Sequence, residues 1–361
     1  MTNLVIGAGV DSPDEPIELA AAKFNRHTFW CGQSGSGKTY ALGVLLEQLL
    51  LHTELPLLVL DPNADFVHLN EPRPEADAAE GAGISGTDMR ILHSGSGETD
   101  RVRTRFTDLS VASKAAVLQL DPVRDAQEFN VLLNFDAGAD GRDFDGGNYI
   151  DSLRSSGDPG QAKLATRIEN LQVLDWDVWA RGGKSITDII DARPRATVME
   201  LGGFNSPAEP KVATLAVLEH LWATRAERRP VLIVIDEAHN LCSPNPSTPV
   251  ERALTEQLIQ IAAEGRKFGL WLFLSTQRPG KIHPNVLSQC DNLGLMRINS
   301  PRDLEELAGV FGFAPQELIQ RSKDFVQGQG LFAGGFVRQA SIAQMRNRVT
   351  LEGGSDVKVP L

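Results

Sequence analysis

Three cysteines are too few to staple a chain of 361 residues. Cys31, Cys242 and Cys290 stand far apart, without metal-ligand spacing, which argues against a disulfide framework and a zinc module and points to a reducing cytoplasm. Long hydrophobic runs are scarce as well. Stretches such as Val231–Ile235 and Leu270–Leu274 suit buried strands and fall far short of a bilayer, so no membrane association is expected. No basic flank leads into an apolar core at the amino terminus, so a secretory signal is not expected either. Internal repeats are absent. What remains, with 42% hydrophobic and 23% charged residues, is the composition of an ordinary globular protein.

Positive charge is in deficit, with a net charge of −12, but the deficit is uneven. Acids dominate between Asp121 and Asp151, whereas Lys and Arg dominate from Arg266 to Arg302 and outnumber acids again from Arg321 onward. Such asymmetry permits contact with a polyanion. A solvated acidic insertion beside an ordinary surface has the same profile.

Residues 1–25 read as a short amino-terminal β segment. HTFWC then leads through a glycine-rich loop into YALGVLLEQLLL, which carries apolar residues at helical spacing, and LPLLVLDP is a buried strand. Residues 68–191 read as a mainly helical insertion, with helices expected over Val111–Leu120 and Gln161–Leu174 and an acidic, glycine-rich loop, DAGADGRDFDGGNY. The sheet resumes with ATVMEL, VLIVIDE, LWLFLSTQ and GLMRINS, separated by helices over Lys211–Arg228 and Val250–Glu264. Two short helices, Pro301–Val310 and Pro315–Ser322, and a closing hairpin follow; 341–361 reads as a tail. Strands alternating with helices predict an α/β fold, a P-loop core of 26–67 and 192–340 with a mostly parallel central sheet and an inserted helical subdomain.

The strongest chemical signal is Gly32-Gln33-Ser34-Gly35-Ser36-Gly37-Lys38-Thr39, a full G-x-x-x-x-G-K-[ST] match lying between a strand and a helix. Such a loop wraps phosphates with its N–H groups at a helix N-terminus. Lys38 would neutralise the β/γ-phosphates of ATP, and Thr39 would place its hydroxyl on Mg²⁺. In VLIVIDEAHN, five apolar β-formers carry Asp236 and Glu237 to the carboxyl edge of the sheet, the edge at which open α/β sheets bind ligands. Asp236 fits the Mg²⁺-organising acid and Glu237 the group that orients or deprotonates water. FLSTQRP ends the next strand with Gln277, placed to sense the γ-phosphate.

Together, RHTFWCGQSGSGKTY, LDPNADF, VLIVIDEAHNL, AAEGRKFGLWLFLSTQRPGKI, VLSQCDNLGLMRI and PRDLEEL resemble, in the same order, the HerA branch of the HerA/FtsK superfamily of P-loop ATPases. The resemblance runs from Arg26 to about Gly335 and implies a RecA-like core, a homohexameric ring, ATP sites between subunits and translocation of double-stranded DNA through a central channel. It implies a nucleotide-binding set from Gly32 through Thr39 with Tyr40 and Asp61, metal-holding roles for Thr39 and Asp236, and catalytic roles for Glu237 and Gln277. Arg266, in EGRKFG, resembles an arginine finger supplied to the neighbouring subunit; Arg278 and Arg297 compete for that role. HerA proteins usually carry an amino-terminal β-barrel that docks partners such as the NurA nuclease, whereas residues 1–31 alone precede the loop here. The expectation is therefore a shortened member with a nuclease or another effector as partner, in DNA end processing or antiphage defence by analogy. A ring scaffold that organises an effector, and a conjugation- or secretion-type ATPase, are the alternatives.

Other candidates are weaker. Lys281 and His283 follow Gln277 and suit a pore loop that meets phosphates. Arg101, Arg103 and Arg105 alternate, so on a strand they share a face, as either a channel lining or a charged solvated edge. Trp176 and Trp179 suit base stacking or, at their spacing, a core.

Overall fold

The computed structural model describes residues 2–95, 100–134 and 146–354. The strands are β1 (Asn3–Gly9), β2 (Pro16–Ala20), β3 (His27–Cys31), β4 (Leu57–Asp61), β5 (Met89–Leu92), β6 (Ala196–Glu200), β7 (Val231–Ile235), β8 (Leu270–Thr276), β9 (Cys290–Leu295), β10 (Gln329–Gly334) and β11 (Ser341–Met345). They form one 11-stranded sheet in the order β2-β1-β11-β10-β9-β3-β8-β7-β4-β6-β5. From β9 to β5 the strands run parallel; on the other side β10, β11, β1 and β2 are antiparallel. The helices are α1 (Lys38–His52), α2 (Ala78–Ser85), α3 (Val111–Val117), α4 (Ala126–Leu133), α5 (Gly146–Ser155), α6 (Pro159–Leu171), α7 (Ile186–Asp191), α8 (Glu209–Ala223), α9 (Pro249–Glu264), α10 (Pro284–Leu287), α11 (Pro301–Val310) and α12 (Gln316–Arg321).

The period-2 alternation of the central strands splits the core into two layers. Phe29, Leu58, Leu60, Ile233, Ile235, Leu272 and Leu274 face a layer closed by α8, α9 and α11. Trp30, Leu57, Val59, Leu232, Val234 and Phe273 face the other, closed by α1. Each fully buried aliphatic side chain contributes roughly 1.5–3 kcal/mol, so the faces are strongly specified. α1 departs from the one-sided helix that its spacing suggested. It is buried all round, including Glu47 and Gln48, because β1 and the segment after β11 cover its outer side; a helix so enclosed has no solvent face to keep polar.

Two boundaries differ from the sequence reading. β5, inside the 68–191 segment, is the edge strand of the main sheet and pairs with β6; MRIL is too short for its alternation to stand out. The 341–361 tail contributes β11, which sits between β10 and β1 and ties the amino-terminal β segment into the same sheet. Residues 136–145 of the expected acidic loop lie outside the described residues, and its last four, 146–149, open α5. Among those described, no helix is long and apolar enough to cross a membrane, and all three cysteines are buried and free.

Candidate active site

The strand order places β8 between β3, which feeds the phosphate loop, and β7, which ends in the acid pair. The three carboxyl ends therefore meet. Gly37 caps α1 at φ +86°, and a Cβ there would lie 2.9 Å from the Gly328 nitrogen, so only glycine meets both demands. Lys38, opening α1, is buried. Its Nζ donates to Asp236 Oδ1 at 2.8 Å and Ser275 Oγ at 3.0 Å and lies 3.2 Å from Glu237 Oε1. Burial opposes the ammonium charge, but the two carboxylates outweigh it and hold the lysine above its usual pKa.

Glu237 occupies the left-handed region at φ +45°, a conformation costing a β-carbon-bearing residue about 1–2 kcal/mol. That turn brings its carboxylate back over the strand ends. Gln277 Nε2 donates to Glu237 Oε1 at 3.1 Å, and His239 Nδ1 lies 3.2 Å from Oε2. Burial raises the Glu237 pKa, yet His239 and Lys38 together bring it below the usual value, so it stays an anion near neutrality. His239 also bonds Thr276 Oγ1 at 3.0 Å, linking the acid to the end of β8.

On the other side of Asp236 stand Asp61 and Asp65, and the three carboxylates offer oxygens within 4.8 Å of one another. Asp61 accepts N–H bonds from Asn63, Asp65 and Phe66, so it also folds its own turn. Burial lifts the Asp61 carboxyl to a pKa of about 6 and the Asp65 carboxyl to about 7, with Asp236 adding repulsion to both. Asp236 Oδ2 is buried with no hydrogen-bond partner. A pooled negative charge with an unsatisfied carboxylate oxygen is the environment a hard divalent cation neutralises, so this donor set fits Mg²⁺.

Lys38, Asp65, Glu237 and Gln277 border an open cleft of ≈ 870 Å³ that Gln33, Ser34, Gly35, Gly37, Thr39 and Tyr40 also line. Its opposite wall comes from Gln327, Gly328 and the stretch from Gln344 to Asn347. Gly32 and Ser36 hold the loop from beneath: a Cβ at Gly32 would lie 2.7 Å from Ser36 Oγ, and Ser36 is fully buried. Gln33 Oε1 accepts the Asn299 N–H at 2.9 Å. Tyr40 lines the cleft and also fastens the far wall, its hydroxyl accepting the Arg348 N–H at 2.7 Å.

Other expectations are not brought to this cluster. Arg266 lies in the turn that enters β8, at the strand end opposite Gln277, and pairs with Asp291 at 3.0 Å. Arg297 Nη2 donates to Gly35 O at 3.3 Å, which makes it a contact of its own phosphate loop. Arg278 and Lys281 are exposed. His283 caps α10 by accepting the Asn285 N–H, a structural task. Trp179 is buried and Trp176 half-buried, stacked at 6.1 Å. Sequence reasoning passed over Asp65, His239 and Ser275. Asp65 had a signal, an acid one helical turn after Asp61, and so did His239, directly after the acid pair.

With this geometry in place, comparison with known proteins is informative. The family "Helicase HerA, central domain" matches residues 4–137, which include the phosphate loop, Asp61 and Asp65. The HerA DNA double-strand break repair helicase of Sulfurisphaera tokodaii is 32% identical over 128 residues, covering 35% of this chain and 25% of that protein. The probable HerA of Methanocaldococcus jannaschii is 29% identical over 131 residues, covering 36% and 25%. The aligned stretch thus spans about a quarter of those relatives' length. Among solved structures, VirB4 of Thermoanaerobacter pseudethanolicus superposes with a TM-score of 0.62 at 15% identity, covering 96% of both chains. The bacterial conjugative coupling protein TrwBdeltaN70 gives 0.58 at 12%, covering 97% and 95%; at such identities these likenesses show the fold, a RecA-like P-loop core. Loop, acids, strand order and family match agree: residues 4–137 are similar to the central domain of the HerA helicases, and the chain as a whole has the fold of a P-loop ATPase.

Proposed function

We propose that this chain hydrolyses ATP and uses the energy to move along double-stranded DNA, as a homohexamer working with a nuclease or other effector. The observation that carries the reading is Glu237, held anionic in a strained turn between Gln277, His239 and Lys38 at the cleft wall. A nucleotide-binding protein that does not turn over has no use for a strained, oriented carboxylate at that point.

The chemistry follows from the side chains. The phosphate loop and the N-terminus of α1 receive the triphosphate. Lys38 exchanges its carboxylate partners for the β- and γ-phosphate oxygens, freeing Glu237 to accept a proton from the attacking water. Gln277 keeps hold of Glu237 and reports its position to the following loop. Thr39 and Asp236, with Asp61 and Asp65 beside them, are the groups that would hold Mg²⁺, which supplies charge neutralisation to the leaving phosphate oxygens. Arg266 faces away from its own cleft, as a group acting on a neighbouring subunit must.

The test is the ATPase rate of wild-type protein and Glu237→Gln, each with and without duplex DNA, alongside the mass in solution with ATP and Mg²⁺. Stimulation by DNA, a hexameric mass, and a rate lowered by roughly 10²–10⁴ in the variant are expected. Turnover stimulated by a partner protein and indifferent to DNA would sink the motor and favour a scaffold.

A further inference from the structure

The arginine stretch 101–105 is an ordered platform. His93 and Arg101 form a parallel bridge, as do Thr104 and Trp179. Val102 N donates to His93 O, Thr104 N to Val178 O and Ala180 N to Thr104 O, at 2.9, 2.7 and 2.9 Å. Val102 and Thr104 turn inward and are buried, so Arg101, Arg103 and Arg105 share the outer face. They do not share a fate. Arg105 is neutralised by Asp108 and Asp188, at 3.1 and 2.6 Å. Arg101 reaches only Asp177, at 3.6 Å, and Asp177 also accepts from Asn205.

Arg181 completes the cluster from the facing loop. Its Nη2 donates to Leu174 O and Trp176 O, which fixes the guanidinium against the backbone that carries the half-buried Trp176. Burial, and then the charges of Arg101 and Arg181, disfavour the Arg103 cation, against only Asp177 in its support. Arg101 Nε and Nη2 and Arg103 Nε are buried donors with no hydrogen-bond acceptor. Lys184 is exposed nearby in sequence. Among the described residues, Asp100 and Asp175 make no ion pair with these arginines. Three like charges held together against the single carboxylate of Asp177 favour an anion with several oxygens. The bridge to His93, just beyond β5, sets the cluster on the carboxyl edge of the sheet, the edge that carries the phosphate loop.

We propose that Arg101, Arg103 and Arg181 grip the phosphodiester backbone of DNA, giving the 68–191 segment a DNA-holding role; this rests on the DNA-motor reading above. Nucleic acid suits the site better than an acidic protein face. Guanidinium forks match phosphate oxygens, and a duplex presents those oxygens at the regular spacing that several fixed arginines can meet together.

The experiment is fluorescence anisotropy of a labelled DNA duplex over a salt series, for wild type, Arg101→Gln/Arg103→Gln/Arg181→Gln and Arg105→Gln, with the DNA-independent ATPase rate alongside. Losing the three contacts should weaken binding about tenfold or more at low salt and flatten the log–log salt slope by about 2–3. Arg105→Gln, already neutralised, should leave the slope unchanged, and DNA-independent ATPase should stay at the wild-type level. Arg181→Gln/Lys184→Gln, confined to exposed positions, should flatten the slope by about 1–2 even if the triple variant folds poorly. An unchanged slope in a wild type that binds DNA overturns this proposal alone and leaves the face to an acidic protein. An equal loss from Arg105→Gln overturns it too, as bulk charge. A wild type that binds no duplex overturns this proposal and the motor reading together.

Discussion

Glu237 concentrates two demands in one residue, a backbone that prefers glycine and a side chain that must be acidic. The demands separate by substitution. Glu237→Gly and Glu237→Ala both remove the carboxylate, but only glycine accepts φ +45° without strain. The glycine variant should therefore be the more stable of the two by about 1 kcal/mol in urea unfolding, with both inactive; equal stabilities would mean that the turn relaxes. Arg348 poses another residue-scale problem. It is buried against Glu47, with Nε 3.2 Å from Oε1, and Glu47 also accepts the N–H groups of Val349 and Thr350. Glu47→Ala would leave a guanidinium stranded inside the protein and should cost about 3–5 kcal/mol in urea unfolding. The phosphate loop, Asp236, Glu237 and Gln277 were legible because each closes an apolar strand of the right length. The Glu47–Arg348 pair was not, since nothing local in either stretch marks two charges that meet across the whole chain.

At the scale of elements, the phosphate strand β3 is tied down by a histidine. His27 Nδ1 accepts the Leu272 N–H at 2.9 Å, and Nε2 lies 3.0 Å from Ala262 O, so the neutral ring joins β3 to β8 and α9. Burial, with Arg266 nearby, lowers its pKa to about 4, whereas an unfolded histidine titrates near 6.5. Between those values the unfolded chain binds a proton that the folded one refuses. Stability from this group is complete above pH ~6.5 and declines on acidification, by about 1.4 kcal/mol per unit until pH ~4. The melting temperature of His27→Gln should therefore fall less steeply across that window than the wild type's; parallel curves would remove His27 as the cause. Among the helices, α9 and α11 were readable to within a residue, because each shows an apolar side to a single layer, whereas α8 ends at Ala223, five residues short of the expected Arg228. β5 was missed because four residues carry too little pattern, and the burial of α1 because its cover arrives from distant sequence.

For the whole molecule, the position of Arg266 sets a prediction. It stands at the strand end away from its own cleft, so a role in hydrolysis requires a second copy. Arg266→Ala and Glu237→Gln subunits, each inactive alone, should recover part of the activity when mixed, through interfaces that pair an intact Arg266 with an intact Glu237. Mixtures that stay inactive would remove Arg266 as the shared group. The molecule also has an order in time. β1 and α1 are made before β11, yet β1 pairs with β11 and Glu47 waits for a partner 303 residues away. At about 5–20 residues per second, that interval on the ribosome is roughly 15–60 s. During it the outer side of the nucleotide-binding helix has no cover and its glutamate no cation. The phosphate loop is thus made long before the contacts that lock its helix, so these contacts form only after the segment following β11 has been synthesised.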